Sequence, residues 1–178
     1  MEFREEGVGD SGHVRAVVSA AFPTDAEALL VRDLAEDASA RPMISLLAID
    51  GSETVGHVLF TRCVLEDAHP TNCMLLAPLA VLPSRQGRGI GTALMKRALE
   101  LARERGIQLV FVLGHPGYYP RAGFLNDAGR MGLEPPFPIA AGQRDAWMVR
   151  ELTPGIIGRV RGKVRSADAL MRPEYWRE

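Results

Sequence analysis

Three glycines spaced two residues apart follow an apolar run and a proline. The run Leu79–Leu82 ends at Pro83, and Gly87, Gly89 and Gly91 then lead into a segment with helical periodicity. Glycines leave little bulk around a turn, so a ligand can approach the backbone N–H groups that the first turn of a helix leaves unpaired. These groups and the positive end of the helix dipole favour a phosphate or pyrophosphate. The spacing therefore predicts an anion-binding turn.

Three kinds of nucleotide-binding loop compete for these glycines. A P-loop requires Gly-Lys-Ser or Gly-Lys-Thr, and the sequence contains neither triplet. A dinucleotide-binding loop requires Gly-x-Gly-x-x-Gly and an acidic residue about twenty positions later. Here the third glycine comes one residue early, and Ile107–Phe111 contain no carboxylate. Both interpretations are therefore weakened, and a third pattern remains.

The third pattern is Gln86-Gly-Arg-Gly-Ile-Gly91, which resembles the Gln/Arg-x-x-Gly-x-Gly/Ala signature of the GNAT superfamily of N-acetyltransferases. A second segment, Tyr118–Phe124, resembles the Tyr-x-x-x-Gly-Phe element that follows the next strand in that family. The likeness runs from about Val55 to Phe124. Gly155–Val164 is also similar to the closing segment of a largely uncharacterised bacterial subgroup. The resemblance implies a chemistry but no particular substrate.

The resemblance implies that acetyl-CoA is the cosubstrate. Backbone groups of Gly87 through Thr92 would hold its pyrophosphate, and a strand end that diverges from its neighbour would pair with its pantetheine arm. Pro78, which has no N–H group, is compatible with such a divergence. The cofactor-binding residues implied in this way are Leu79, Ala80, Val81, Gln86, Gly87, Arg88, Gly89, Ile90, Gly91 and Thr92.

Two catalytic groups follow from the same resemblance. The backbone N–H of Val81 would stabilise the negative charge that develops on the thioester oxygen as an amine attacks directly in a ternary complex. Tyr119, four residues before Gly123, matches the family tyrosine that donates to the departing thiolate. Alternatively, Tyr119 and Tyr118 are packing aromatics on a short helix. Direct attack requires no acyl-enzyme. Cys73 and Ser84 are not expected to be nucleophiles, because neither has a recognisable base nearby in the sequence.

The acceptor side is less defined by the sequence. Glu27, on the second predicted helix, is the candidate to face the acceptor amine, and we expect water to mediate the removal of the amine proton. Other candidate bases are Glu66, Asp67 and His57. The family commonly has an asparagine some residues before the tyrosine, where this chain has Gly114–Gly117 instead. Within this segment, His115 either contacts the cofactor or acceptor or only occupies a strand end. A non-catalytic acyl-CoA-binding module and a misread nucleotide-binding protein remain alternatives.

Charge and composition restrict the partners. The 178 residues have a net charge of −1, but residues 1–70 carry 13 acidic and 5 basic side chains, whereas residues 71–178 carry 9 and 16. The acidic half would attract a cationic acceptor, an amine-bearing small molecule or peptide. Basic residues without interleaved aromatics do not indicate nucleic acid. Homodimers are frequent in the family, but no self-complementary surface can be read from this sequence.

The composition and residue spacing also bear on cellular location and metal binding. The acidic start, without a basic and then apolar segment, and the shortness of every apolar run predict a cytoplasmic protein with no membrane contact. Cys63 and Cys73 are expected to be buried small hydrophobes. The four histidines lack metal-ligand spacing with either cysteine, so no metal is expected.

Periodicity predicts an α/β fold. The expected strands are Phe3–Glu5, Met43–Ile49, Val55–Leu65, Cys73–Val81, Leu109–Leu113 and Ala146–Glu151, and the expected helices are His13–Ala21, Ala26–Asp37 with Leu29, Leu30 and Leu34 facing inward, Arg88–Arg105 and Tyr118–Ala122. Gly129–Gly142 is expected to be a loop that borders the acceptor pocket or only connects strands.

The resemblance adds a topology to this pattern. It implies one mixed, mostly antiparallel sheet flanked by helices, the acyl-CoA N-acyltransferase fold. We expect residues 1–152 to form the N-acetyltransferase domain. Residues 153–178 would form a C-terminal extension packed on it or continuing it.

Overall fold

The computed structural model describes residues 1–66 and 70–176. Its strands are β1 (Glu2–Glu5), β2 (Ile44–Asp50), β3 (Glu53–Leu65), β4 (Cys73–Val81), β5 (Leu109–Leu113), β6 (Leu133–Glu134), β7 (Trp147–Glu151) and β8 (Gly162–Arg165). Its α-helices are α1 (Ser11–Ala21), α2 (Ala26–Glu36) and α3 (Ile90–Glu104). Short 3₁₀ turns complete the order, among them Pro83–Arg85, Tyr119–Ala122 and Asp168–Leu170.

One mixed sheet organises the molecule. Its main path is β1-β2-β3-β4-β5-β7, in which β4 and β5 are parallel and the other neighbours are antiparallel. β8 pairs with the end of β3 and, in parallel, with β6. The expected mixed, mostly antiparallel sheet flanked by helices is therefore confirmed.

Both faces of the sheet are covered. α3 packs its apolar stripe, including Ile90, Leu94 and Ala98, on one face against side chains such as Phe60 and Val110. α1, α2 and the chain beyond β7 cover the other face. β4 and β5 are consequently buried on both sides, which explains why their sequences are continuous apolar runs.

The residues beyond 152 contribute to the second face. Val164 and Leu170 are buried in the same apolar cluster as Leu34, and Trp176 packs against Trp147 with ring centroids 5.7 Å apart. The indole N–H of Trp176 donates to the carbonyl oxygen of Leu170 at 2.8 Å. This segment therefore lies against α2 and the centre of the sheet.

Several local expectations need correction. The inward stripe of α2 consists of Ala28, Leu30 and Leu34, whereas Leu29 is 46% exposed. α3 begins at Ile90 rather than Arg88, because Gly89 has a left-handed φ of 78°. The segment expected to be one loop, Gly129–Gly142, contains β6. Residues of this segment line a separate cavity with Trp147.

The cysteines are confirmed as buried free thiols. Cys63 and Cys73 are direct cross-strand neighbours on β3 and β4, and both are almost fully inaccessible. Burial, with Cys73 alongside, raises the pKa of the Cys63 thiol well above its ordinary range. Within the described residues, no group of three or more potential metal ligands occurs, and no helix is long and apolar enough to span a bilayer.

Candidate active site

The turn before α3 has the geometry that the glycines predicted. Gly87 and Gly89 have φ values of 72° and 78°, which side-chain-bearing residues rarely adopt. Gln86 holds the turn to the preceding strand, because its Nε2 donates to the carbonyl oxygen of Val81 at 3.1 Å. The hydrogen-bond ladder of α3 starts when the Ala93 N–H donates to Gly89 at 3.0 Å. The N–H groups before Ala93 therefore have no acceptor within the helix.

β4 diverges from β5 next to this turn. The two strands pair only from Cys73 with Leu109 to Leu76 with Val112. On the other side, the register with β3 shifts so that Ala77 and Pro78 together stand opposite Leu59, which is a β-bulge. Beyond the bulge, Leu79–Val81 pair with β3 alone. The edge of this part of β4 that would face β5 is therefore open.

Hydrogen-bonded and non-hydrogen-bonded pairs alternate along the β3–β4 ladder, and this alternation determines which backbone groups of β4 face its open edge. The Leu82 N–H donates to Val55 at 2.9 Å, so Leu82 forms a hydrogen-bonded pair with Val55. In an antiparallel ladder such pairs alternate, and Ala80 therefore bonds to His57, whereas Leu79 and Val81 direct their N–H and C=O groups away from β3. The Val81 carbonyl agrees with this orientation, since it accepts from Gln86.

A cavity of about 500 Å³ joins the turn, the open edge of β4 and the 3₁₀ turn after β5. It brings together eight of the ten expected cofactor residues with Tyr119, namely Leu79, Val81, Gln86, Gly87, Gly89, Ile90, Gly91 and Thr92. Ala80 and Arg88 do not line it, because Ala80 is buried against α1 and Arg88 is exposed. We call this space the turn cavity.

Four further side chains line the turn cavity: Arg85, His115, Tyr118 and Arg121. Sequence reasoning missed Arg85 and Arg121 and left His115 open. Arg85 is held by Asp50 at 2.9 Å and Glu53 at 2.7 Å, and these carboxylates raise its pKa. His115 Nδ1 accepts from the Gly117 N–H at 3.1 Å. Only proximity to the two motifs could have indicated these residues, because Arg85 directly precedes Gln86, and His115 and Arg121 follow β5.

Tyr118 and Tyr119 occupy different places. A Cβ added to Gly91 would lie 2.6 Å from the hydroxyl of Tyr118, so this hydroxyl lies over the first turn of α3. A Cβ added to Gly114 would lie 2.5 Å from Cε2 of Tyr119, whose ring also packs edge-on against Phe124 at 5.8 Å. Both tyrosines therefore need a neighbouring glycine.

The 3₁₀ turn that carries Tyr119 is tied to the sheet. The guanidinium of Arg150 on β7 donates to the carbonyl oxygen of Ala122, at the end of this turn. Partial burial, assisted by the nearby charge of Arg103, lowers the pKa of Arg150. The position of Tyr119 thus depends on β7 as well as on its own turn.

A second cavity, of about 340 Å³, lies on the other side of Tyr119, and we call it the α2 cavity. It lies between the start of α2, the bulge of β4 and the C-terminal turns, and its lining includes Glu27, Leu79, Tyr119, Leu170 and Trp176. Leu79 and Tyr119 line both cavities. The two spaces therefore meet where β4 and β5 diverge.

The candidate bases lie in different environments. Oε2 of Glu27 is inaccessible to solvent and has no hydrogen-bond partner among the described residues. His57 is fully buried on β3, outside both cavities, and burial lowers its pKa to about 4. Glu66 is exposed at the far end of β3, and Asp67 lies outside the described residues. Of the candidates that the structure describes, only Glu27 lines the α2 cavity.

These features define a class of protein: an α/β fold in which parallel strands diverge beside the glycine-rich start of a helix. The family model described as "Acetyltransferase (GNAT) family" matches residues 13–124. The chain is 44% identical over 160 residues to the uncharacterised N-acetyltransferase YjhQ of Escherichia coli K12, with 89% of this chain and 88% of that protein covered. The chain belongs to the GNAT acetyltransferase family.

Solved structures agree with this assignment. The chain is similar to the GNAT family N-acetyltransferase YhbS of Escherichia coli in complex with CoA, with a TM-score of 0.86 and 30% identity over 96% of this chain and 92% of that one. A GNAT family acetyltransferase of Brucella melitensis in complex with acetyl-CoA gives a TM-score of 0.73 and 26% identity, covering 95% and 97%. The expected fold is thereby confirmed.

Proposed function

We propose that this protein transfers the acetyl group of acetyl-CoA to an amine by direct attack in a ternary complex. The observation that carries the proposal is the meeting of two cavities at Leu79 and Tyr119. One cavity has the groups that a diphosphate and a peptide-like arm require, and the other contains a carboxylate among apolar side chains. The CoA and acetyl-CoA complexes of the two similar structures support acetyl-CoA as the cosubstrate.

Acetyl-CoA fits the turn cavity on structural grounds. Its pyrophosphate would accept from the backbone of Gly87 through Thr92, at the positive end of the α3 dipole. Its pantetheine amides would pair with the outward backbone groups of Leu79 and Val81, as a strand pairs with an open edge. Arg121 adds positive charge at the same cavity.

The transfer then uses two groups of this chain. The amine nitrogen forms a bond to the thioester carbon while the Val81 N–H stabilises the charge developing on the carbonyl oxygen. The carbon–sulfur bond breaks, and the thiolate takes the proton of the Tyr119 hydroxyl. An acceptor that arrives as an ammonium first loses one proton to water, because only the neutral amine has a lone pair for attack. After the attack the nitrogen releases a second proton to water, and water returns one proton to Tyr119. Glu27 would face the amine from the α2 cavity.

The test is acetyl-CoA-dependent thiol release over a panel of amino acids, polyamines, aminoglycosides, simple amines and peptide amino termini, with mass spectrometry of the products. We expect release to require both an amine and folded protein, and the product to gain one acetyl group on nitrogen. Calorimetry measures CoA binding separately. If CoA binds but no amine in the panel is acetylated, the non-catalytic binding module is favoured. If CoA does not bind, the proposal is wrong.

A further inference from the structure

The α2 cavity contains one acidic side chain among its described lining residues. Among these described residues, Glu27 alone has a carboxyl group, and none is Lys, Arg or His. Its Oε2 is shielded from solvent and accepts no hydrogen bond from a described residue. A buried carboxylate oxygen without a donor is costly, and an ammonium group of a ligand would provide the missing donor and the opposite charge.

The other side chains that line the cavity are apolar, except for the hydroxyl groups of Tyr119 and Tyr175. Its walls include Phe22 at the end of α1, Leu30 of α2, Leu76 of β4, and Leu170 and Trp176 of the C-terminal segment. These side chains gain free energy by contact with apolar surface and offer no partner to a second charge. The volume, about 340 Å³, is at the small end of the range for small-molecule sites.

We propose that the acceptor is a small primary monoamine with an apolar body, whose ammonium group binds Glu27 and whose body fills the aromatic and aliphatic walls. This inference rests on the proposed function, since it concerns the acceptor of that reaction. A polyamine or an aminoglycoside would bring several charges into a cavity with one carboxylate. Each additional charge would lose its hydration without gaining a second carboxylate among the described lining residues.

Two parts of the α2 cavity would determine the specificity for the acceptor. Glu27 distinguishes an ammonium from a neutral group of the same shape. The C-terminal wall, which includes Tyr175 beside Trp176, distinguishes an apolar body from a hydrated one. Since Tyr175 is only half-buried and Trp176 is a core residue, substitution of Tyr175 changes the wall with less risk to folding.

Calorimetry with non-acetylated probes tests the proposal without turnover. Phenethylamine is compared with 2-phenylethanol, which lacks the charge, and with spermidine and kanamycin, which carry several, with and without CoA. We expect phenethylamine to bind at least tenfold more tightly than each of the others. E27Q should remove the difference between phenethylamine and 2-phenylethanol, and Y175A should weaken both by a similar factor.

Asp25→Asn is the matched control. Asp25 lies two residues from Glu27, makes no side-chain cap to α2 and does not line the α2 cavity. D25N should therefore leave all four affinities unchanged. Equal or tighter binding of spermidine, no binding of phenethylamine, or unchanged phenethylamine affinity in E27Q would each overturn the proposal.

Binding and turnover separate this inference from the proposed function. If phenethylamine binds in a Glu27-dependent manner but no amine is acetylated, the α2 cavity is an amine-binding site and the transferase proposal fails. If spermidine or kanamycin is acetylated efficiently and monoamines are not, the transferase proposal stands and the acceptor inference fails.

Discussion

Tyr118 and Tyr119 are adjacent in the sequence but differ in what their hydroxyl groups can reach. Tyr119 lines both cavities, whereas Tyr118 lines only the turn cavity, with its hydroxyl over Gly91. We predict that Y119F lowers kcat about 100-fold or more while the affinity for CoA changes little, because a positioned general acid contributes about 10²–10⁴ to a rate. Y118F should act mainly on the KM for acetyl-CoA. Steady-state kinetics with a reactive amine checks both, and unchanged kcat in Y119F would refute the acid role.

His57 provides a second prediction for a single residue, which concerns stability rather than turnover. Ser45 donates its only hydroxyl proton to Glu6 at 2.5 Å, so it must accept from Nε2 of His57 at 2.9 Å. Nδ1 of His57 is then the unprotonated nitrogen, buried without a partner among the described residues. Protonating it would bury an unpaired charge, which explains why burial lowers the pKa of His57 to about 4.

The sign of the pH effect follows from this lowered pKa. Between pH values of about 6.5 and 4, the unfolded chain binds a proton at this histidine and the folded chain does not. The free energy of unfolding should therefore fall as the pH falls through this window, by up to about 3 kcal/mol at about 1.4 kcal/mol per pH unit. Urea unfolding should show a shallower fall in H57Q. The exposed His13 is the control, and H13Q should keep the wild-type profile.

Helices and strands could be predicted from the sequence where the hydrophobic periodicity was strong or the apolar run was long. The bounds of α1, β4 and β5 were predicted within two residues of those observed. The buried residues of α1 recur with 3.6-residue periodicity, and β4 and β5 are continuous apolar runs. β6 and β8 were missed. β8 reads Gly-Lys-Val-Arg with one buried side chain, and β6 has two residues, so tertiary pairing rather than local sequence defines them.

Gly114, directly after β5, determines how closely the 3₁₀ turn that carries Tyr119 can approach that strand. Gly114 leaves room for the ring of Tyr119, which a Cβ would approach to 2.5 Å. We predict that G114A retains the fold but displaces this ring and lowers kcat about 100-fold, since a displacement of about 1 Å can have that effect. Circular dichroism and CoA calorimetry should remain close to wild type. Gly12, where a Cβ would meet nothing within 4 Å, is the control, and kcat of G12A should be unchanged.

For the whole molecule, the cavities depend on segments far apart in the chain. The two motifs predicted most of the turn cavity, because its residues follow one another from Leu79 to Thr92. The walls of the α2 cavity come from residues such as Phe22, Leu76 and Trp176. No local pattern connects these positions, so only the folded arrangement reveals that they surround Glu27.

Asp37 ties the C-terminal segment to the rest of the molecule at the end of α2. Its Oδ1 accepts from the Ser39 N–H at 2.7 Å, and its Oδ2 accepts from the Ala169 N–H at 2.9 Å. Ser39 in turn accepts from the Asp168 N–H at 2.8 Å. Burial alone would raise the pKa of Asp37, but hydrogen bonds from the Ser39 hydroxyl and from backbone N–H groups, including that of Ala169, lower it overall.

We predict that D37A destabilises the whole molecule and loosens the α2 cavity. Loss of charged hydrogen bonds should lower the free energy of unfolding by about 2 kcal/mol at pH 7. The KM for a reactive amine should rise more than the KM for acetyl-CoA, because Leu170 lines the α2 cavity and not the turn cavity.

The effect of D37A should also depend on pH. Because the pKa of Asp37 is lowered in the folded protein, its carboxylate stabilises the fold above about pH 3.9, and this stabilisation is lost as the pH falls through the folded-state pKa. The difference in free energy of unfolding between D37A and wild type should therefore shrink in acid. D168A, which removes only an exposed ion pair with Arg165, should change the free energy of unfolding by less than about 1 kcal/mol. If D37A unfolds like the wild type and keeps its amine KM, the hydrogen bonds of Asp37 do not hold the C-terminal segment in place.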